Sequence, residues 1–114
     1  MIRRIPSRRS PTRSRVVVHD GVLTTVAVSD TKEPSLYAQT KSALANIEAN
    51  LAEAGSGKGR ILMVMAYIAD IADKPAFNRA WDEWVDPANL PLRACVQAAL
   101  EGDCLVELVV TAAV

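Results

Sequence analysis

The run Val16-Val-Val-His-Asp-Gly-Val-Leu-Thr-Thr-Val-Ala-Val28 decides the fold class of this chain. Two stretches rich in β-branched residues flank Asp20-Gly21, and this dipeptide readily forms the two-residue type I′ turn of a β-hairpin. The sequence therefore predicts an antiparallel hairpin here, which begins a β-sheet.

The stretch after the hairpin carries a helical pattern and then an apolar run. The pattern predicts one amphipathic helix over residues 35–54, which Gly55 ends. Its core positions are predicted to be Leu36, Thr40, Leu44, Ile47, Leu51 and Ala54. Residues 61–69 are almost uninterruptedly apolar, which is typical of a central strand covered on both faces. The Gly55-Ser-Gly-Lys-Gly59 segment lacks the preceding strand and following helix of a phosphate-binding loop, so we expect a turn.

A second helix is predicted between Asp73, which caps its start, and Asp86-Pro87, which ends it. Phe77, Trp81 and Trp84 recur on one face of this helix. An aromatic stripe at this spacing favours packing into the core over a cage for a ligand.

The end of the chain is predicted to form a closing hairpin with Arg93 in its first strand and Glu107 in its second. Charged side chains are rarely buried without a partner or a ligand, so both are candidates for a site. With a three-residue turn at residues 101–103, Gln97 lies opposite Glu107. Glu107 then shares a sheet face with Arg93 and Cys95, whereas a four-residue loop turns Glu107 to the other face.

The element order ββαβαββ predicts an α+β sandwich in which a mixed sheet carries two helices on one face. We expect a single domain over residues 16–114, preceded by a basic lead-in segment, residues 1–15. Apolar residues are also expected on the second face, which predicts burial in a closed homo-oligomer. These residues are Val16, Val18, Val26, Val28, Val106, Leu108 and Val110.

Charge is unevenly distributed along a chain whose formal net charge is zero. Six of the 13 basic residues precede Val16, whereas all 13 acidic residues lie between Asp20 and Glu107. We interpret the arginine-rich start as a solvated or loosely packed lead-in strand, with contact to nucleic acid and a transit peptide as the alternatives. The acidic remainder argues against a broad phosphate-binding face. No apolar run approaches the roughly 20 residues that span a bilayer, so a soluble protein without membrane contacts is expected.

The two cysteines and the single histidine limit the metal chemistry that is available. Cys95 and Cys104 form no Cys-x-x-Cys pair, and the chain offers too few ligands of the usual kinds for a zinc site. Cys95 is interpreted as a small buried hydrophobe. So few cysteines favour a reducing, cytoplasmic location.

Three blocks of the sequence resemble the Rid (reactive intermediate deaminase) family, also called the YjgF family. They are Phe77-Asn-Arg-Ala-Trp-Asp-Glu-Trp84, Leu90-Pro-Leu-Arg-Ala-Cys-Val-Gln97 and Val106-Glu-Leu108. With the Gln39-Thr40 helix and the Asp20-Gly21 hairpin, the similarity covers residues 14–114. It implies a chorismate mutase-like homotrimer with clefts between neighbouring subunits, and neither a metal nor an organic cofactor.

The resemblance also implies an activity and a set of site residues. Archetypal members hydrolyse short-lived enamines and imines, such as 2-aminoacrylate, to a 2-oxo acid and ammonia. By this resemblance Arg93 matches the carboxylate-binding arginine and Glu107 the glutamate that holds water. Cys95 matches the residue whose backbone lines the pocket, and Asn78 a pocket-side asparagine.

The chain departs from the archetypal pattern at two positions of the implied pocket. Arg13 stands where those members carry a tyrosine, and Val26-Ala27 stands where they carry Ser-Gly. Arg13 and Ala27 are therefore candidates for substrate binding, with Arg13 as a second contact for an anion.

Three functions from different classes remain open at this point. The first is hydrolytic deamination of 2-imino acids, in which a guanidinium holds the carboxylate and a glutamate handles water and protons. The second is non-catalytic binding of small carboxylates such as 2-oxo acids. The third, less favoured because the domain after the lead-in is acidic, is RNA binding or cleavage.

Overall fold

The computed structural model describes all residues from Met1 to Val114, which form one six-stranded mixed sheet and two helices. The strands are β1 Ile2–Pro6, β2 Ser14–His19, β3 Val22–Val28, β4 Ile61–Ile68, β5 Leu92–Gln97 and β6 Val106–Ala113. The helices are α1 Leu36–Glu53 and α2 Lys74–Trp84. The sheet order is β1-β2-β3-β6-β4-β5. The predicted α+β class is confirmed, with one strand more than predicted at the start of the chain.

The first hairpin forms as predicted. Asp20 and Gly21 both adopt positive φ angles, 51° and 76°, which are the backbone conformations of a type I′ turn. His19 and Val22 are paired across this turn, and the register continues to Val16 and Thr25.

Both helices lie where their periodicity predicts, and Asp73 precedes α2 as expected, but its side chain makes no capping hydrogen bond. The Ser35 hydroxyl accepts a hydrogen bond from the Ala38 N–H at 3.1 Å and caps the start of α1. In α2, the Phe77 and Trp81 rings lie 6.4 Å apart between centroids, and both side chains are buried in the core. The aromatic stripe therefore packs inward, as predicted.

The predicted closing hairpin is wrong, because β4 lies between β5 and β6. β4 runs parallel to β5 and antiparallel to β6. Gln97 pairs with Ile68 instead of Glu107, and Glu107 pairs with Tyr67. The reason is that β4, α2 and β5 form a βαβ unit, whose crossover makes its strands parallel. β6 then pairs with the other edge of β4, so that from Met63 to Ile68 this central strand has a neighbour on both sides.

The sheet has a covered face under both helices and an open face. Five of the residues predicted for the second face lie instead in the core beneath the helices: Val16, Val18, Val106, Leu108 and Val110. On β2 and β6, the predicted inward-facing and outward-facing positions are therefore shifted by one residue from the observed ones. The open face is nevertheless apolar, and its exposed side chains include Val17, Val22, Val26, Met63, Leu92 and Val96.

The basic lead-in segment contributes a strand to the edge of the sheet. β1 pairs antiparallel with β2, from Ile2 opposite His19 to Ile5 opposite Val16. The Ser7 N–H donates to the Arg13 carbonyl at 3.0 Å and closes the loop between the two strands. Neither α1 nor α2 combines the length and apolar character that crossing a membrane requires.

Candidate functional site

Arg93 lies at the start of β5, opposite Val64 of β4, and faces the helices. Its guanidinium carbon lies 5.2 Å from the centroid of the Phe77 ring and 5.4 Å from that of Trp81. Stacking on aromatic faces restrains the side chain while leaving the N–H fork available. Arg93 takes part in none of the ion pairs or side-chain hydrogen bonds of the chain. It is thus an ordered cation that lacks an anionic partner.

Cys95 lies two residues further along β5, on the same face as Arg93, and is half-buried against the core. Desolvation raises the pKa of the Cys95 thiol, and the nearby charges of Lys74 and Arg93 only partly offset this effect. The thiol is therefore protonated at neutral pH and is a poor nucleophile.

Asn78 follows Phe77 in α2, and its Oδ1 atom is buried without a hydrogen-bond donor. Leaving a buried acceptor unsatisfied costs about 1–3 kcal/mol, so a donor from outside the chain would stabilise it. We call Asn78, Arg93 and Cys95 the α2/β5 cluster.

The other predicted site residues, Arg13, Ala27 and Glu107, line a groove of about 370 Å³. The groove lies where β3 ends and β6 begins, and the loop before β2 and the side of α1 complete its walls. Arg13 is exposed, Ala27 is buried and Glu107 is half-buried. We call this the β3/β6 groove.

The charges along the β3/β6 groove are mostly paired within the chain. Arg9 Nη2 lies 3.0 Å from Asp30 Oδ1, and Arg15 Nη1 lies 2.5 Å from Glu53 Oε2. The hydrogen bond from Arg15 holds the pKa of the Glu53 carboxyl below its usual value. Arg13 and Glu107 have no ion-pair or side-chain hydrogen-bond partner in the chain. Glu101 of the same groove is likewise unpaired, so one guanidinium and two carboxylates remain available to a ligand.

The structure keeps the α2/β5 cluster and Glu107 on different faces of the sheet. Arg93 pairs with Val64, which is buried under the helices. Glu107 pairs with Tyr67, three residues further along β4 and so on the open face. Of the two alternatives left open by the sequence, the structure therefore shows the one in which Glu107 lies on the face opposite Arg93 and Cys95 within one chain. The site residues form two halves that one chain does not bring together.

Two polar residues on the buried face of α1, Gln39 and Asn50, were missed as positioning residues by sequence reasoning. Asn50 Nδ2 donates to the Thr25 hydroxyl at 3.1 Å, and Asn50 Oδ1 accepts from Arg15 at 3.0 Å. Gln39 holds the segment that leads into β6. The signal that would have found both is a polar residue at a core position of an amphipathic helix, where it needs partners.

No cluster of three or more histidine, cysteine, aspartate or glutamate side chains is arranged to hold a metal ion. The polar groups of the two halves are instead the guanidiniums of Arg93 and Arg13, the carboxamide of Asn78 and the carboxylate of Glu107. Guanidiniums can form paired hydrogen bonds with an anion, and a carboxylate can accept hydrogen bonds from water.

Comparison with known proteins gives a consistent set of relatives. The model of the family described as Endoribonuclease L-PSP matches residues 9–114. A RutC family protein from Haemophilus ducreyi is 41% identical over 103 residues, which cover 89% of this chain and 88% of the relative. The RutC family protein YoaB from Escherichia coli is 39% identical over 87 residues, 76% of either chain. The crystal structure of a YjgF family member from Neisseria meningitidis superposes with a TM-score of 0.93 at 33% identity, covering 99% of this chain and 94% of the other.

Proposed function

We propose that this chain, which belongs to the Rid/YjgF family of endoribonuclease L-PSP-like proteins, hydrolyses reactive 2-imino acids and their enamine forms to 2-oxo acids and ammonia in the cytoplasm. The observation that carries the proposal is Arg93, an ordered guanidinium over Phe77 and Trp81 with no anion inside the chain. Such a group fits a substrate that bears a carboxylate.

The active unit of this proposal is a homotrimer with its sites between subunits. Arg93 and Glu107 lie on opposite faces of one sheet, so a site that uses both must take them from two chains. The apolar open face supports assembly, because a monomer would leave Val26, Met63 and Val96 in water. Packing of open faces around a three-fold axis closes the assembly.

Arg93 binds and orients the substrate in this mechanism. Its planar fork donates two parallel hydrogen bonds to the substrate carboxylate, which fixes the direction of the adjacent C=N bond. The unpaired Oδ1 of Asn78 accepts a hydrogen bond from a donor in the same pocket, such as the iminium N–H. Both contacts hold the electrophilic carbon at one position before water attacks.

Glu107 manages water and protons. Its carboxylate takes a proton from water as the oxygen forms a bond to the iminium carbon, which gives a carbinolamine. Glu107 then passes this proton to the nitrogen. As the C–N bond breaks and ammonia leaves, the hydroxyl gives its proton back to the Glu107 carboxylate and its oxygen becomes the C=O of the 2-oxo acid. General acid and base help of this kind contributes about 10²- to 10⁴-fold, enough to matter for a substrate that already hydrolyses in water.

A second candidate function, binding of small carboxylates without turnover, is supported by a difference in how firmly the Arg93 and Glu107 side chains are held. Aromatic rings restrain Arg93, whereas no hydrogen bond fixes the Glu107 carboxylate. RNA binding is less well supported, because Arg9 and Arg15 of the basic lead-in are paired with carboxylates of their own chain. Phosphate contacts would have to break these pairs.

The decisive experiment compares ammonia release from freshly generated 2-aminoacrylate by the wild-type protein, Arg93→Ala and Arg79→Ala. Arg79 of α2, like Arg93, lies over an aromatic ring, that of Tyr37, but on the exposed surface, so it is the matched control. We expect Arg93→Ala to lose at least about 10-fold in rate and Arg79→Ala to keep the wild-type rate. A wild-type rate equal to buffer for several imines, together with saturable pyruvate binding, would favour the non-catalytic function instead.

A further inference from the structure

Gln39 is a buried side chain whose hydrogen-bonding groups all point at loop backbone. It is 1% exposed on the covered face of α1. Its Nε2 donates to the Glu33 carbonyl at 2.9 Å and to the Asp103 carbonyl at 3.0 Å. Its Oε1 accepts from the Leu105 N–H at 2.9 Å. A single carboxamide therefore joins the loop after β3 to the loop before β6.

We propose that Gln39 is a positioning residue that sets the place of the Glu107 carboxylate, an inference that rests on the proposed function. Only Val106 separates Leu105 from Glu107, so the anchor acts next to the proposed base. Gln39 and Glu107 also line the same groove of about 330 Å³, beside the β3/β6 groove. The anchor is thus close to the site in space as well as in sequence.

The segment that Gln39 holds has few other restraints. Glu101, Gly102 and Asp103 are exposed, and Gly102 adopts a positive φ of 58° in their turn. The Leu105 carbonyl accepts from the Ala69 N–H at 3.0 Å, which continues the pairing of β4 with β6. The Leu105 N–H and the Asp103 carbonyl, however, depend on Gln39. Without Gln39, Leu105 is held to the sheet from the β4 side alone, because the pairing of β6 with β3 begins only at Glu107.

Gln39 also fixes the position of the loop after β3, which lies beside Glu107. Val28, the last residue of β3, pairs with Glu107 across the sheet, and the loop that follows it leads to Glu33. Because Gln39 bonds to Glu33 and Asp103 at once, both loops beside Glu107 keep one spacing. A displacement of about 1 Å at a reacting group can reduce a rate by up to about 100-fold, so this spacing matters for catalysis.

Thr40 provides a matched control for a merely structural role. It follows Gln39 in α1 and is fully buried, but its hydroxyl has no hydrogen-bond partner. Thr40→Val keeps the shape of the side chain and removes no bond. Gln39→Met keeps the length of the side chain and removes all three bonds.

The test combines turnover, ligand binding and hydrogen exchange on the full-length variants. We expect Gln39→Met to lower kcat for 2-imino acid hydrolysis by about 10-fold or more. The Kd for pyruvate should stay within about 2-fold of wild type, because Arg93, the proposed carboxylate-binding residue, lies on β5 and not on the segment that Gln39 holds. Amide exchange at Leu105 should accelerate by at least about 10-fold, since its acceptor is gone. Thr40→Val should match wild type in all three measurements. An unchanged kcat, or equal losses in kcat and in pyruvate affinity, would overturn the positioning role.

A second variant covers the case in which Gln39→Met does not fold. Gln39→Glu keeps an acceptor for the Leu105 N–H, and it regains one donor when its buried carboxyl is protonated. Its kcat relative to wild type should therefore rise as the pH falls, and a ratio that is constant with pH would contradict the proposal. If wild-type protein hydrolyses no imine, the proposed function fails on its own, whereas Leu105 exchange in these variants still decides whether Gln39 holds the segment before Glu107.

Discussion

Arg93 and Glu107 lie on opposite faces of the same sheet, with β4 between their strands. Neither residue has an ion-pair partner inside the chain. In the proposed trimer, one copy would supply the guanidinium of a site and the next copy its carboxylate. A shared site between subunits follows from the register of the sheet and from the proposal that both residues act together.

Mixed trimers test the shared site directly. Arg93→Ala and Glu107→Gln each remove one half, so either variant alone should be inactive. Random assembly of equal amounts of both variants should restore about one quarter of the wild-type rate. About three quarters of such trimers are mixed, and each mixed trimer has both native residues in one of its three clefts. The measurement is ammonia release after co-refolding. A site built within one chain would show no recovery, since no chain in the mixture carries both residues.

Arg13 should contribute to the choice of substrate. Its guanidinium is exposed in the β3/β6 groove and unpaired, so it is available to a second anionic group of a ligand. We expect Arg13→Ala to weaken binding of 2-oxoglutarate by about 2- to 5-fold, the range for an exposed charge pair, and to leave pyruvate binding unchanged. Isothermal titration with both ligands checks this prediction. Equal effects on the two ligands would show that Arg13 does not distinguish a second carboxylate.

The ion pair between Arg15 and Glu53 predicts a dependence of stability on pH. The pKa of Glu53 is lowered in the folded chain from an ordinary value of 4.5, chiefly by its hydrogen bond from Arg15. A lowered pKa means that the unfolded chain binds the proton more readily. The stabilisation is therefore fully present above about pH 4.5 and is lost as the pH falls through the folded pKa.

Glu53→Gln isolates this contribution, because the amide does not titrate. Its free energy of unfolding, measured by urea titration, should depend less on pH than that of wild type below pH 4.5. At neutral pH the variant should be less stable because it loses the ion pair with Arg15, but only slightly, because solvent screens the exposed Glu53 side of the pair. Identical pH profiles for the two proteins would contradict the link between Glu53 and acid stability.

The parts of the fold that depend on neighbouring residues were predictable from the sequence. The Asp20-Gly21 turn and the Ser35 cap satisfy backbone groups within a few residues, so the local sequence contains the information. The partner of β5 was not predictable in the same way. Whether β5 pairs with β4 or with β6 depends on the crossover through α2. The apolar pattern of either strand carries no information about this crossover.

The residues of the candidate site show the same difference between local and long-range information. Arg93 could be found from its residue type among apolar neighbours, but the face of Glu107 required the sheet register. Gln39 lies 64 and 66 residues from its two partners before β6, so no local pattern connects them. Buried polar residues in a helix indicate that hydrogen-bond partners exist, but they do not show which residues these partners are.

The open face of the sheet should be the surface on which copies assemble. Val26 of β3 is 43% exposed on this face, and Val109 of β6 pairs with it. Val26→Asp places a charge where the proposed contact excludes water, so it should convert the trimer into monomers at micromolar concentration. Ala45→Asp, on the exposed side of α1, is the control and should stay trimeric. Analytical ultracentrifugation of both variants distinguishes them. In the proposed site the two halves meet only in the assembly, so Val26→Asp should also lose imine hydrolysis. Circular dichroism should show that its helices remain folded. An active monomer would refute the shared site.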